Sequence, residues 1–258
     1  RKDLKLTPPE GLSKKELGRW NRYGNAGEFW TPNDSLKGEE LKKWKYQRYI
    51  KDYLRCVAGV DDAVGKMLKF LKDNDLEDNT VVIYTSDQGF YLGEHGWFDK
   101  RWMYEPSFRM PFMVKYPDKI KPESVNDNLI VNVDFAPTLL DIAGISIPDD
   151  IQGESFKNQL YDNDYKKRDA IYYHYYEYPF WHNVQPHYGV SNGKYKLIHY
   201  YFNMDEWELF DIKSDKDELN NLYGLKEYDE IISQLKVRLS ELQAEYKDNM
   251  SLEDMRKM

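Results

Sequence analysis

The sequence predicts an α/β fold, in which part of a layered sheet-and-helix domain is followed by a small antiparallel sheet with a terminal helix. Three observations carry this. A β-branched apolar run, Val81-Val82-Ile83-Tyr84-Thr85, stops at Ser86-Asp87-Gln88-Gly89, the pattern of a buried strand running into a loop. A long stretch before it repeats Leu54, Val57, Val60, Val64, Leu68 and Leu71 at three- and four-residue steps, which places them on one helical stripe. Toward the end, short aromatic-rich runs alternate with turn residues, as in an antiparallel meander.

Taken in order, residues 1–38 are polar, with Pro8, Pro9, Pro32 and several glycines. They read as a loop with a short helix around 13–20. A helix is expected from about residue 39 to 72. Asp61 and Asp62 fall off its stripe and should meet solvent, while Cys56 should serve as a small buried hydrophobe. Residues 111–116 and 129–133 read as further strands. From Asp134 to Gly144 the pattern is helical, with Asp134 near the N-cap and Gly144 at the end. The character changes near 166–169, so the expected division is 1–165 and 166–258. Beyond it, residues 170–178, 188–190, 194–202 and 207–211 read as meander strands, and Asn192-Gly193 is a hairpin signal. Residues 215–221 are a polar turn, and 225–247 form a closing helix with Ile231, Ile232, Leu235, Leu239 and Leu242 on one side.

With 258 residues, 41% of them hydrophobic, the chain can bury the core of one large domain or two small ones. A formal charge of −8 argues against a nucleic-acid partner, although a local positive pocket could still take an anion. The 22 tyrosines offer flat faces with hydroxyls, which suit carbohydrate, though most are expected to fill cores. The lone Cys56 excludes an internal disulfide framework and a multi-cysteine metal site. No apolar run has membrane-spanning length. The chain begins at Arg1 and reads as a fragment of a longer protein.

In open α/β sheets, ligands bind beyond the carboxyl ends of strands. Asp87 and Gln88 stand there as adjacent oxygen donors. Gly93 and Gly96 bracket Glu94-His95 in the loop that follows, and the loop ends on Lys100. Oxygen donors with a returning lysine suit a hard cation and an anionic group.

These residues, in this order, resemble the sulfatases of the alkaline-phosphatase superfamily. The resemblance rests on Ser86-Asp87-Gln88-Gly89, the Gly93-Glu94-His95-Gly96 loop, Lys100-Arg101-Trp102-Met103-Tyr104-Glu105, and Arg109-Met110-Pro111. Asp134-Phe135-Ala136-Pro137-Thr138-Leu139-Leu140-Asp141-Ile142-Ala143-Gly144 and Gln152-Gly153-Glu154-Ser155 continue it, and it runs from about residue 49 to 247. It implies a partial alkaline-phosphatase-like sheet domain followed by the family's small C-terminal subdomain. Asp87 and Gln88 would then be the second pair of metal ligands, for calcium. Lys100 would be the lysine that contacts the sulfate group and the leaving oxygen, and His95 would have a structural role in its own loop. The family's nucleophile is formylglycine, made in a Cys/Ser-x-Pro/Ala-x-Arg motif. Cys56 is followed by Val57-Ala58-Gly59-Val60 and does not match. The expectation is therefore a C-terminal portion that is inactive alone, with formylglycine and two aspartate ligands supplied by a missing N-terminal part of the same protein.

The segment Tyr173-His174-Tyr175-Tyr176-Glu177-Tyr178, the stretch from His182 to Val190, and Asp99-Lys100-Arg101-x-x-Tyr104-Glu105 resemble bacterial sulfatases acting on 6-sulfated N-acetylglucosamine. That implies a sulfated glycan substrate with His187 and His182 near the sugar, alongside a structural use for either, and an exported, periplasmic or extracellular protein. Two other readings remain open at this point. One is a phosphodiesterase or phosphonate hydrolase of the same superfamily, and the other is a non-catalytic carbohydrate-binding module.

Overall fold

The computed structural model describes residues 35–257 apart from 163, 166, 167, 179–181 and 183; the short helix expected around 13–20 lies outside them. In chain order the elements are α1 (Gly38–Asp73), β1 (Val82–Thr85), β2 (Tyr91–Leu92), β3 (Phe98–Asp99), α2 (Glu105–Phe108), β4 (Phe112–Lys115), α3 (Phe135–Ile142) and α4 (Lys157–Tyr161). Then come β5 (Ile171–Tyr175), β6 (His187–Ser191), β7 (Tyr195–Tyr200), β8 (Glu206–Asp211), α5 (Asp229–Glu245) and α6 (Leu252–Met255). The fold is α/β. It divides into two compact units, Arg1–Thr80 with Phe90–Lys100, and Val81–Gly89 with Arg101–Met258.

In the first unit, α1 forms where the three- and four-residue spacing places it. Its stripe, however, is not buried: Leu54 is 53% exposed and Val60 47%, and no α1 residue is buried. Cys56 is likewise exposed, which corrects the expectation of a small buried hydrophobe. Helical periodicity fixes which side chains share a face, not whether anything covers that face. The Tyr49 hydroxyl donates to the Tyr91 carbonyl at 3.2 Å, and Tyr53 stacks on Phe90 at 5.9 Å. These contacts bind α1 to the short antiparallel hairpin of β2 and β3.

In the second unit, β1 pairs antiparallel with β4, Val82 opposite Lys115 and Thr85 opposite Phe112. The strand expected over 129–133 is not formed. The Val131 amide donates instead to Asp134 Oδ2 at 2.9 Å, so the backbone turns into a short 3-10 helix, Asn132–Asp134. The same buried carboxylate accepts from the Glu154 amide at 2.8 Å and pairs with Arg168. Thr138 Oγ1 accepts from the Phe156 amide at 3.0 Å and donates to the Asp134 carbonyl at 2.7 Å.

The four-stranded sheet has the order β5-β6-β7-β8, antiparallel throughout. Asn192 Oδ1 accepts from the Lys194 and Tyr195 amides at 3.0 and 2.7 Å, and Gly193 takes φ +80°; this closes the β6–β7 hairpin at the predicted place. On one face, Ile232, Leu235, Leu239 and Leu242 of α5 pack on Ala170, Val190, Leu197 and Leu209. Each buried Val, Leu or Ile among them contributes roughly 1.5–3 kcal/mol. Strand side chains alternate between faces, so His187, Gly189, Lys196, Ile198 and Tyr200 project the other way. That face is covered as well, by residues 102–108. A side chain on Gly189 would meet Met103 Sδ at 2.6 Å, and Tyr104 lies edge-on to Phe210 at 5.7 Å.

Candidate active site

The donor pair sits where β1 ends. Thr85 Oγ1 donates to the Pro111 carbonyl at 2.9 Å, fastening the strand end to the start of β4. Ser86 Oγ donates to the Gln88 carbonyl at 2.8 Å and lies 3.3 Å from Asp87 Oδ1. The turn then meets α2: the Gly89 amide donates to the Ser107 carbonyl at 2.8 Å. A Cβ on Gly89 would stand 2.2 Å from the Pro106 carbonyl oxygen, so only glycine permits this approach. Asp87 is exposed and Gln88 half-buried.

As a cation site this is partial. A carboxylate and an amide carbonyl are the donors a hard cation takes, but calcium needs about six to eight oxygens. Among the described residues there is no group of three or more His, Cys, Asp or Glu that could hold a metal. The chemistry of the pair fits; the shell is not completed by the described residues.

Lys100 belongs to the other unit, directly after β3, and is half-buried. Its hairpin is held by its own side chains. The Leu92 amide donates to Glu94 Oε2 at 2.5 Å, Gly93 takes φ +110°, and the His95 ring stacks on Trp97 at 5.4 Å and meets the edge of Tyr91 at 6.3 Å. Lys100 is flanked by two non-glycine residues in left-handed backbone, Asp99 at φ +77° and Arg101 at φ +112°. Such conformations cost on the order of 1–3 kcal/mol each and gather at functional sites. The sequence marks them weakly: neither residue is Gly, although Asp tolerates left-handed backbone better than Arg does.

The two histidines occupy different environments within the second unit. His187 is completely buried, between Trp102 at 5.5 Å and Tyr175 at 5.6 Å, both stacked, with Tyr200 at 5.3 Å. Its Nδ1 bonds the Gln185 carbonyl at 2.7 Å, while Nε2 is buried with no hydrogen-bond partner among the described residues. Burial pushes its pKa down to about 4, so the ring is neutral at physiological pH.

His182 is exposed, with Nδ1 2.9 Å from Glu177 Oε2. Glu177 also accepts from the Tyr175 hydroxyl at 2.8 Å and lies 3.8 Å from Arg101 Nε. The bonds from Tyr175 and His182 hold its carboxyl below the usual carboxylate range. The Arg101 carbonyl in turn accepts from the Tyr173 hydroxyl at 2.7 Å. Arg101 and Glu177 are far apart in the chain and no local pattern joins them, so the sequence displays His182 as a candidate but not this pair.

Two family descriptions match. Residues 13–145 match Sulfatase, a span that includes Asp87, Gln88 and Lys100. Residues 93–245 match N-sulphoglucosamine sulphohydrolase, C-terminal, a span that includes Lys100, His182 and His187. An N-acetylglucosamine-6-O-sulfatase of Bacteroides thetaiotaomicron is 51% identical over 218 residues, covering 83% of this chain and 39% of its own length. An arylsulfatase of Clostridium perfringens is 34% identical, covering 91% and 48%. The chain thus spans less than half of either relative. A solved protein in complex with its substrate D-glucosamine-2-N,6-O-disulfate superposes with a TM-score of 0.83 at 45% identity, over 94% of this chain and 50% of that one.

Proposed function

The chain belongs to the sulfatase family, and from that premise we propose that it is part of a protein that hydrolyses sulfate esters on a glycan, with 6-sulfated N-acetylglucosamine as the substrate. The observation that carries this reading is the 51% identity over 218 residues to an N-acetylglucosamine-6-O-sulfatase.

Asp87 and Gln88 would hold a calcium ion through one carboxylate and one amide oxygen, completed by donors elsewhere in the protein. Bound there, calcium would supply positive charge against the sulfuryl oxygens. Lys100, a cation on a short hairpin, would hydrogen-bond the sulfate through Nζ and stabilise the leaving alkoxide oxygen as the S–O bond breaks. His182, at the surface with Glu177, would lie near the sugar. His187, beneath the aromatic rings, would act on the sugar through the residues stacked on it.

Formylglycine does not fit any position of this chain. Cys56 lies within α1 and lacks the Pro/Ala and Arg that the family's motif requires. The nucleophile is therefore assigned to a further N-terminal part of the protein, and the chain by itself should be inactive. An exported, periplasmic or extracellular location is proposed with it, on the family resemblance alone.

The test is sulfate release by the complete protein on 6-sulfated N-acetylglucosamine, 6-sulfated galactose and 2-sulfated uronate. Fastest turnover is expected on the first; faster turnover on either of the others would overturn the assignment.

A further inference from the structure

Lys196 is the second residue of β7 and is 0% exposed, on a sheet face it shares with Ile198 and Tyr200. Its Nζ donates to Glu105 Oε1 at 2.7 Å and to Glu218 Oε1 at 2.8 Å, and it stands 5.1 Å from the centre of the Phe108 ring. Glu218, 3% exposed, uses its other oxygen to accept from the Glu105 amide at 2.6 Å. Burial pushes the Glu218 carboxyl upward, against the pull of Lys196.

Stability alone gives little reason for this triad. Replacing a buried ion pair with apolar side chains of similar volume is often neutral or stabilising. A methionine at 196 would suit the aromatic and aliphatic surroundings. What the ions provide is geometric definition: Glu105 is fixed by its side chain and by its backbone amide at once. Glu105 opens α2, a helix of only four residues, too short to hold its own shape in water.

This helix is also where the candidate site is fastened. The Ser107 carbonyl accepts from the Gly89 amide, two residues after Asp87, at 2.8 Å. Ser107 Oγ accepts from the Arg101 amide, next in the chain to Lys100, at 2.9 Å. The Gly89 contact leaves no slack, with a Cβ position only 2.2 Å from the Pro106 oxygen. A shift of α2 must therefore move the turn that carries Asp87 and Gln88.

We propose that Lys196 and Glu218 are positioning residues: through Glu105 and α2, the C-terminal sheet sets the placement of the Asp87–Gln88 turn and of the backbone beside Lys100. The proposal rests on the metal-ligand reading of Asp87 and Gln88 for its catalytic consequence, and on geometry alone for its structural one. Tyr104 gives α2 a second attachment, donating to Glu208 Oε2 at 2.5 Å and accepting from the Tyr200 hydroxyl at 3.2 Å. The fold should thus survive loss of the ions.

The experiment compares the complete protein with its Lys196→Met/Glu218→Gln double variant, which leaves no unpaired charge at those two positions and keeps an acceptor for the Glu105 amide. The single Glu218→Gln variant serves as the milder perturbation. Three readouts are taken: hydrogen exchange across residues 86–89 and 101–109, terbium luminescence as a probe of the cation site, and steady-state kinetics. The double variant should fold and lose protection at the Gly89 amide. Its terbium affinity should fall about 10- to 100-fold, as for supporting groups behind metal ligands. Its kcat should fall up to about a hundredfold, the cost of a ~1 Å misplacement, with KM little changed. The single variant should lie between it and the wild type.

Unchanged Gly89 protection in the folded double variant overturns the proposal. So does lost protection with unchanged terbium affinity and kcat, and so does failure of the double variant to fold, which would make the triad a folding element. A wild type without sulfatase activity would defeat the functional reading, while the exchange comparison would still decide the structural one.

Discussion

His187 converts burial into a pH dependence that can be measured. Its ring is sealed from solvent, and burial lowers its pKa from 6.5 to about 4, opposed by the Gln185 carbonyl on Nδ1. The folded form therefore binds the proton less tightly than the unfolded chain. Stability from this group is complete above about pH 6.5, the unfolded value, and is lost as pH falls through about 4. At about 1.4 kcal/mol per pH unit, a drop from 6.5 to about 4 corresponds to about 3 kcal/mol. The perturbation is His187→Phe, which keeps an aromatic ring among Trp102, Tyr175 and Tyr200 but cannot titrate. Urea denaturation should be followed from about pH 7 to below about pH 4 for both proteins. Other groups titrate in this range, including His174 and His199, both also lowered by burial; they are common to the two proteins, and the charge of His174 adds to the His187 shift only after burial and the Gln185 bond. The wild type should lose about 3 kcal/mol more than the variant. Parallel curves, agreeing within about 0.5 kcal/mol across the range, would refute the reasoning.

Two further outcomes are expected. In the complete protein, Asp87→Ala should weaken metal binding and sulfate release together, because it removes a charged oxygen donor, whereas Lys100→Ala should lower turnover with the metal retained; equal metal loss in both, by metal analysis, would contradict the separate roles. Arg168→Met should destabilise by about 3–5 kcal/mol in urea, because it strands the Asp134 carboxylate in a buried site, where it is 1% exposed; a loss below about 1 kcal/mol would show that the amides of Val131 and Glu154 suffice to hold it.

The sequence by itself determined the elements whose signal is local. The three- and four-residue spacing of apolar side chains located α1 and α5, the β-branched run located β1, and Asn192-Gly193 located the β6–β7 hairpin. The order of Asp87, Gln88 and Lys100 led to the family. Only the tertiary structure decided what each face meets. It left the α1 stripe exposed, although the same periodicity buried Leu235, Leu239 and Leu242 of α5. It diverted 129–133 from a strand, because Asp134 captured the Val131 amide. It enclosed His187 and Lys196, which a local reading of polar residues in strands would send to solvent. Periodicity and turn chemistry act over a few residues, so a sequence displays them directly. Burial of a charge depends on partners such as Glu105 and Glu218, which lie far from Lys196 in the chain and reach it only when the sheet closes on α2.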